Sequence, residues 1–249
     1  MTSWVGRAAR RGILSTRYPK AAATLDEVPE TGRPPTHRGT RPLGDSAADS
    51  CPVGAITDRT VDQGRCIRCA RCLSAGFAFD APVESSTRRR DDLLWTDGQR
   101  TALPALDAPL SKLGRSLHVF MIDVGSCNAC NLEVMALSNP YYDASRLGIF
   151  FTNSPRHADV LLVVGVLTDA MIPALERAYQ ALPEPKAVVA VGACPISGGA
   201  FRGFPGIRDS IDSTVPVDVF VPGCPPSPIA VLDGLLRLTG HTRAAPEGA

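Results

Sequence analysis

This sequence has no long apolar run. The stretch Val160 to Leu167 falls far short of the roughly 20 residues that span a bilayer, so no transmembrane helix is expected. Charge of one sign is also missing. There are 26 Lys and Arg against 25 Asp and Glu, a net charge of +1, so no global field draws the chain to nucleic acid or membrane. No Gly-x-Gly-x-x-Gly follows a strand pattern, and "GACPISGG" lacks the Gly-Lys-Ser/Thr ending of a phosphate loop, which excludes the common nucleotide sites. There is no internal repeat, Ser/His/Asp set, paired-carboxylate site or hydrolytic metal motif. A secretory signal is not expected either, because the residues after Arg10-Arg11 lack a sustained apolar core. His118 reads as a core histidine in a strand, and His37 and His241 fall in flexible segments without a role.

What is present fits a soluble globular protein. The 249 residues are 44% hydrophobic and 20% charged, enough for one large domain or two small ones. Residues 1–50 read as a basic N-terminal helix followed by an extended arm. The helix, over residues 1–19, carries Arg7, Arg10, Arg11 and Arg17 without an acid, and Trp4, Val5, Ala8 and Leu14 are its apolar members. It would dock on a partner or on anionic lipid headgroups. Residues 51–80 hold a first cysteine cluster. Residues 81–115 read as a polar, Pro-punctuated linker in which Arg88 to Arg90 form a solvated run.

From Ser116 to residue 240 the pattern changes. "LHVFMIDV", "RLGIFFT", "DVLLVVGV", "KAVVAVGAC" and "DVFVPGC" have strand length and are rich in Val, Ile and Phe. Helices are expected between them at Asn128 to Leu137, Asp169 to Leu182 and Ser227 to Leu238. The alternation predicts an α/β fold, with βαβ units on a parallel sheet covered on both faces.

Eight cysteines divide into two sets of four. In the second set, Cys127 and Cys130 follow the first of these strands, Cys194 the fourth and Cys224 the fifth. Ligands in an open parallel sheet bind at the carboxyl ends of its strands, so four distant thiols meet on one edge. A helix start at Cys127-x-x-Cys130 is expected to lower the thiol pKa and favour the metal-binding thiolate. Gly125, Gly192 and Gly223 would let backbone approach a bulky cofactor, and Pro195, Pro225 and Pro226 would stiffen the loops. Thiolate-only ligation selects zinc or an iron–sulfur cluster.

The first set is "CPVGAITDRTVDQGRCIRCARC", Cys51 to Cys72. In two-cluster ferredoxins each motif runs C-x2-C-x2-C-x3-C-P, and the last Cys ligates the other cluster. Here the positions that would complete one cluster hold Arg41, Gly44, Ala47 and Gly76. Cys51, Cys66, Cys69 and Cys72 are the full ligand set of the other. The pattern is that of one complete [4Fe–4S] site rather than a zinc pairing.

With both sets in view, "GSCNACNLE", "SPRHADVLLVVGVLT", "GACPISGG" and "VPVDVFVPGCPPSP" resemble the small electron-transfer subunit of membrane-bound, energy-converting [NiFe] hydrogenases of the formate hydrogenlyase type. The same fold serves the cluster-bearing 20 kDa subunit of complex I. The resemblance implies a flavodoxin-like domain holding a [4Fe–4S] cluster on Cys127, Cys130, Cys194 and Cys224, facing a large [NiFe]-hydrogenase-like subunit. It further implies membrane subunits of the same complex and a place on the cytoplasmic side of the cell membrane. Complex I subunits typically carry adjacent cysteines at the first ligand site, whereas Cys127-x-x-Cys130 is the hydrogenase-like form. The N-terminal start and the 51–72 site resemble the two-cluster ferredoxin-type partner of these complexes, here fused and reduced to one cluster. The electron donor would be a ferredoxin or another iron–sulfur protein. Glu133 is either an ordinary helix glutamate or, as the resemblance implies, a proton relay. Arg156 and His157 either tune the cluster from its surroundings or form a surface pair.

Overall fold

The computed structural model describes residues 15–24, 27–28, 33–37, 45–57, 60–79, 85–96, 110–113 and 116–240. Most of the expected N-terminal helix, including Arg7, Arg10 and Arg11, lies outside them, as does His241. Residues 15–20, which include the end of that expected helix, run as bends and turns.

Nine strands are described. β1 (Thr36–His37) pairs antiparallel with β3 (Phe77–Ala78), and β2 (Thr60–Asp62) pairs antiparallel with β4 (Leu94–Thr96). The main sheet holds β5 (Leu117–Asp123), β6 (Ile149–Phe151), β7 (Val160–Val164), β8 (Ala187–Val191) and β9 (Val219–Val221). Its order is β6-β5-β7-β8-β9 with every neighbour parallel. Renumbered from its first strand this is 2-1-3-4-5, the flavodoxin-like order.

The apolar strands sort their side chains by the period of two. Val160, Leu162 and Val164 face one side, under the helices Ala129–Ala136 and Pro228–Thr239. Leu161 and Val163 face the other, with Leu175, Ala178 and Ile196 of the helices Ile172–Ala181 and Ala193–Ser197. Every residue of β7 and β8 is buried, as a sheet covered on both faces requires. The short helix at Ala193–Ser197 was not expected from "GACPISGG".

The segment before the sheet is tied to it. Tyr18 and Val28 are buried in the same cluster as the Pro228–Thr239 helix. Thr87 makes an antiparallel bridge to Phe220 of β9, with N–H to O distances of 3.0 and 2.7 Å. Of the three arginines expected as a solvated run, Arg89 is exposed, but Arg88 and Arg90 are partly buried in ion pairs. Arg90 Nη2 lies 2.6 Å from Asp62 Oδ2, and Arg88 Nη2 lies 3.8 Å from Asp218 Oδ1. Their carboxylates sit 28 and 130 positions away in sequence (90 − 62 and 218 − 88), where no local charge count finds them.

Candidate metal centres

The four thiols of the second set reach one another because the loop after β5 folds over the end of β7. That crossing is backbone on backbone. A Cβ on Gly165 would stand 2.7 Å from Gly125 C and Ser126 N. Asp123 holds the loop. Its Oδ1 accepts from the N–H of Gly125 (2.9 Å) and Ser126 (2.8 Å), and its Oδ2 accepts from Ser126 Oγ (2.6 Å) and Asn131 Nδ2 (2.8 Å). Burial works against the Asp123 charge, but these hydrogen bonds outweigh it and hold the carboxyl below its usual range. Asn128 turns the chain between the two cysteines with φ 72°, a left-handed value Asn tolerates. The run "DVGSCNACN" carried this signal, a strand-end Asp ahead of Gly and Ser, and sequence reasoning passed over it.

Burial raises the pKa of Cys130, and Cys194, Cys224 and Cys127 lie close enough to add to that rise. Gly192 makes room for this gathering at φ 97°, and a Cβ there would stand 2.7 Å from Cys130 Sγ. The space above Gly192 is taken by the Cys130 sulfur, and at Gly223 by Pro226. Gly192→Ala is expected to displace Cys130. A backbone penalty of roughly 1–3 kcal/mol should appear in thermal unfolding, because φ 97° with ψ 165° is a region open to glycine alone.

The first set also converges. Cys51, Cys66, Cys69 and Cys72 line one small cavity that opens to solvent, walled by Ile56, Val61 and Phe79 among others. Two sulfurs accept backbone hydrogen bonds, Cys51 Sγ from Ala55 N (3.2 Å) and Cys66 Sγ from Arg68 N (3.4 Å). Among the described residues no three His, Cys, Asp or Glu side chains gather closely enough to hold a single ion. Cubane ligands each bind a separate iron and so stand wider apart than four around one zinc.

Cys130 does not have the lowered pKa expected of a helix start. Burial pushes Cys66 and Cys194 up to about 12, and raises Cys72, Cys130 and Cys224 as well. Desolvation of clustered sulfurs outweighs the field of one helix end at these positions. A metal's own positive charge reverses that balance, since a coordinating thiol is deprotonated outright. Two all-thiol quartets have the donor chemistry that suits iron–sulfur ligation.

Glu133 lies one turn after Cys130, half-buried, and burial raises its pKa. Arg156 and His157 are exposed in the turn Pro155–His157 just before β7. That is the amino edge of a parallel sheet whose cysteines sit at the carboxyl edge, so they take no part in the site. His118 is no core residue. Its half-exposed ring stacks on Phe150, with Nδ1 3.5 Å from Asp159 Oδ2.

A family model described as NADH ubiquinone oxidoreductase, 20 Kd subunit, matches residues 127–238. The probable membrane-bound hydrogenase subunit mbhJ of Pyrococcus furiosus is 45% identical over 141 residues, 56% of this chain and 84% of that protein. The chain belongs to this family. Formate hydrogenlyase subunit 7 of Escherichia coli is 45% identical over 131 residues, 53% of this chain and 51% of that protein, so the chain spans about half of that relative. An NADH-quinone oxidoreductase subunit of Desulfovibrio desulfuricans is 40% identical over 157 residues, 63% of this chain and 82% of that protein. As a member of the family the chain is a subunit of an oxidoreductase complex. Cys51 to Cys72 precede the matched residues, so that centre is read from its own cysteines.

Proposed function

We propose that this chain is the electron-transfer subunit of a membrane-associated, hydrogenase-type complex. It holds one [4Fe–4S] cluster on Cys51, Cys66, Cys69 and Cys72 and a second on Cys127, Cys130, Cys194 and Cys224. The observation that carries this reading is the convergence of all eight cysteines into two quartets. Such clusters, when bound, supply one-electron redox chemistry. The second quartet faces a large [NiFe]-hydrogenase-like subunit. Leu132 and Met135, on the same helix as Cys130, stand 59% and 64% exposed and give that partner an apolar seat. Glu133, with its raised pKa, sits where it can pass a proton across the same face. A ferredoxin or other iron–sulfur donor feeds the first quartet. Among the described residues no helix is long and apolar enough to cross a membrane, and the chain docks peripherally on membrane subunits at the cytoplasmic side.

The likeness to the NADH-quinone oxidoreductase subunit of Desulfovibrio desulfuricans favours a second reading, a quinone-linked complex. The Cys127-x-x-Cys130 spacing favours the first. The co-purified large subunit separates them by whether it carries nickel. Iron and acid-labile sulfide analysis of the anaerobically purified chain tests both. About eight of each per chain is expected for two [4Fe–4S] clusters, whereas two zincs without sulfide would sink either redox reading.

A further inference from the structure

Arg68 runs between the two quartets. Its backbone N–H donates to Cys66 Sγ at 3.4 Å, and its Nη2 donates to Pro222 O at 3.0 Å, two residues ahead of Cys224. The guanidinium feels the charges of both Cys66 and Cys224. An arginine side chain keeps its positive charge in a folded protein. Arg71 also lines the first cavity, but it is exposed, and water screens its charge. The loop that carries Arg68 turns tightly, with left-handed φ values of 52° at Arg68 and 63° at Ala70.

We propose that Arg68 is a positioning residue shared by both centres. It holds the Cys66 loop against the Cys224 loop and places one fixed positive charge between them, raising the reduction potential of each. The proposal rests on the two-cluster reading. Reduction adds one negative charge to a centre already ringed by thiolates, and a desolvated cation nearby favours that addition. An electron leaving one quartet's cluster enters the other's, so one is oxidised as the other is reduced. The total charge facing Arg68 is unchanged, and no proton has to move.

The test uses the full chain, purified anaerobically, as wild type, Arg68→Gln and Arg68→Lys. Gln keeps an N–H donor for Pro222 O without the charge, and Lys keeps the charge. Redox titration followed by electron paramagnetic resonance is expected to show both midpoints lowered in Arg68→Gln. The expected size is at least tenfold in each reduction equilibrium, 59 mV for a one-electron couple. Arg68→Lys should recover more than half of that shift, with iron unchanged in both variants. Unmoved midpoints, a shift at one centre alone, no recovery by Lys, or loss of iron from both variants would overturn the proposal. Wild-type protein with about four irons would instead overturn the two-cluster reading beneath it.

Discussion

On the proposed two-cluster reading, replacing Cys69 with Ser is expected to halve the iron of the protein, from about eight atoms per chain to about four, and to remove one of two reduced-state paramagnetic signals. Cys69 is the exposed member of the first quartet, so the change leaves little strain behind. The serine hydroxyl is a poor ligand for iron, because soft thiolate is what the site offers and the cluster selects. The second quartet draws its sulfurs from loops after β5, β8 and β9, none of which contains Cys69. Its signal should persist, displaced in potential because the neighbouring anionic centre has gone. Loss of both signals would mean that the eight sulfurs do not form two independent sites.

The sheet was legible because its strands are buried on both faces. Continuous runs such as "VLLVV" and "AVVAV" suit β7 and β8 and no half-exposed element. The cysteines were legible because thiols at the carboxyl ends of parallel strands share an edge whatever the strand order. The order itself is fixed by packing between distant elements and left no local trace. The same holds for the charges. Arg88, Arg90 and Arg68 look alike to a local reading, yet one reaches toward Asp218, one pairs with Asp62, and one ends on Pro222 O. Arg156 and His157 left two alternatives open in sequence, and their exposed turn, at the other end of β7 from the cysteines, favours the surface pair. The thiol pKa values went astray because the helix end is visible in sequence and the crowding of sulfurs is not.

Asp233→Ala will unfold the protein's N-terminal clasp and lower global stability by roughly 3–5 kcal/mol. Asp233 lies in the middle of the Pro228–Thr239 helix with 1% of its surface exposed. One carboxylate oxygen accepts from Tyr18 Oη at 2.8 Å. The other accepts from Ser86 Oγ and, at 2.8 Å, from Arg237 Nε. Three segments far apart in sequence therefore converge on a single buried anion: the arm, the loop that bridges to β9, and the helix itself. Removing the carboxylate leaves Arg237, itself 8% exposed, as a buried cation without this counter-charge, and takes away the Asp233 acceptor of the Tyr18 and Ser86 hydroxyls. Against a usual total of about 5–15 kcal/mol, that loss is a large fraction of stability. A denaturant midpoint shift measures it, and limited proteolysis should show faster cleavage near Tyr18. The double variant Asp233→Leu, Arg237→Met separates charge from packing, because exchanging a whole buried pair for apolar residues is often close to neutral. If the double variant is as unstable as Asp233→Ala, the three-way hydrogen bonding to the arm and loop, rather than the buried charge, is what this carboxylate supplies.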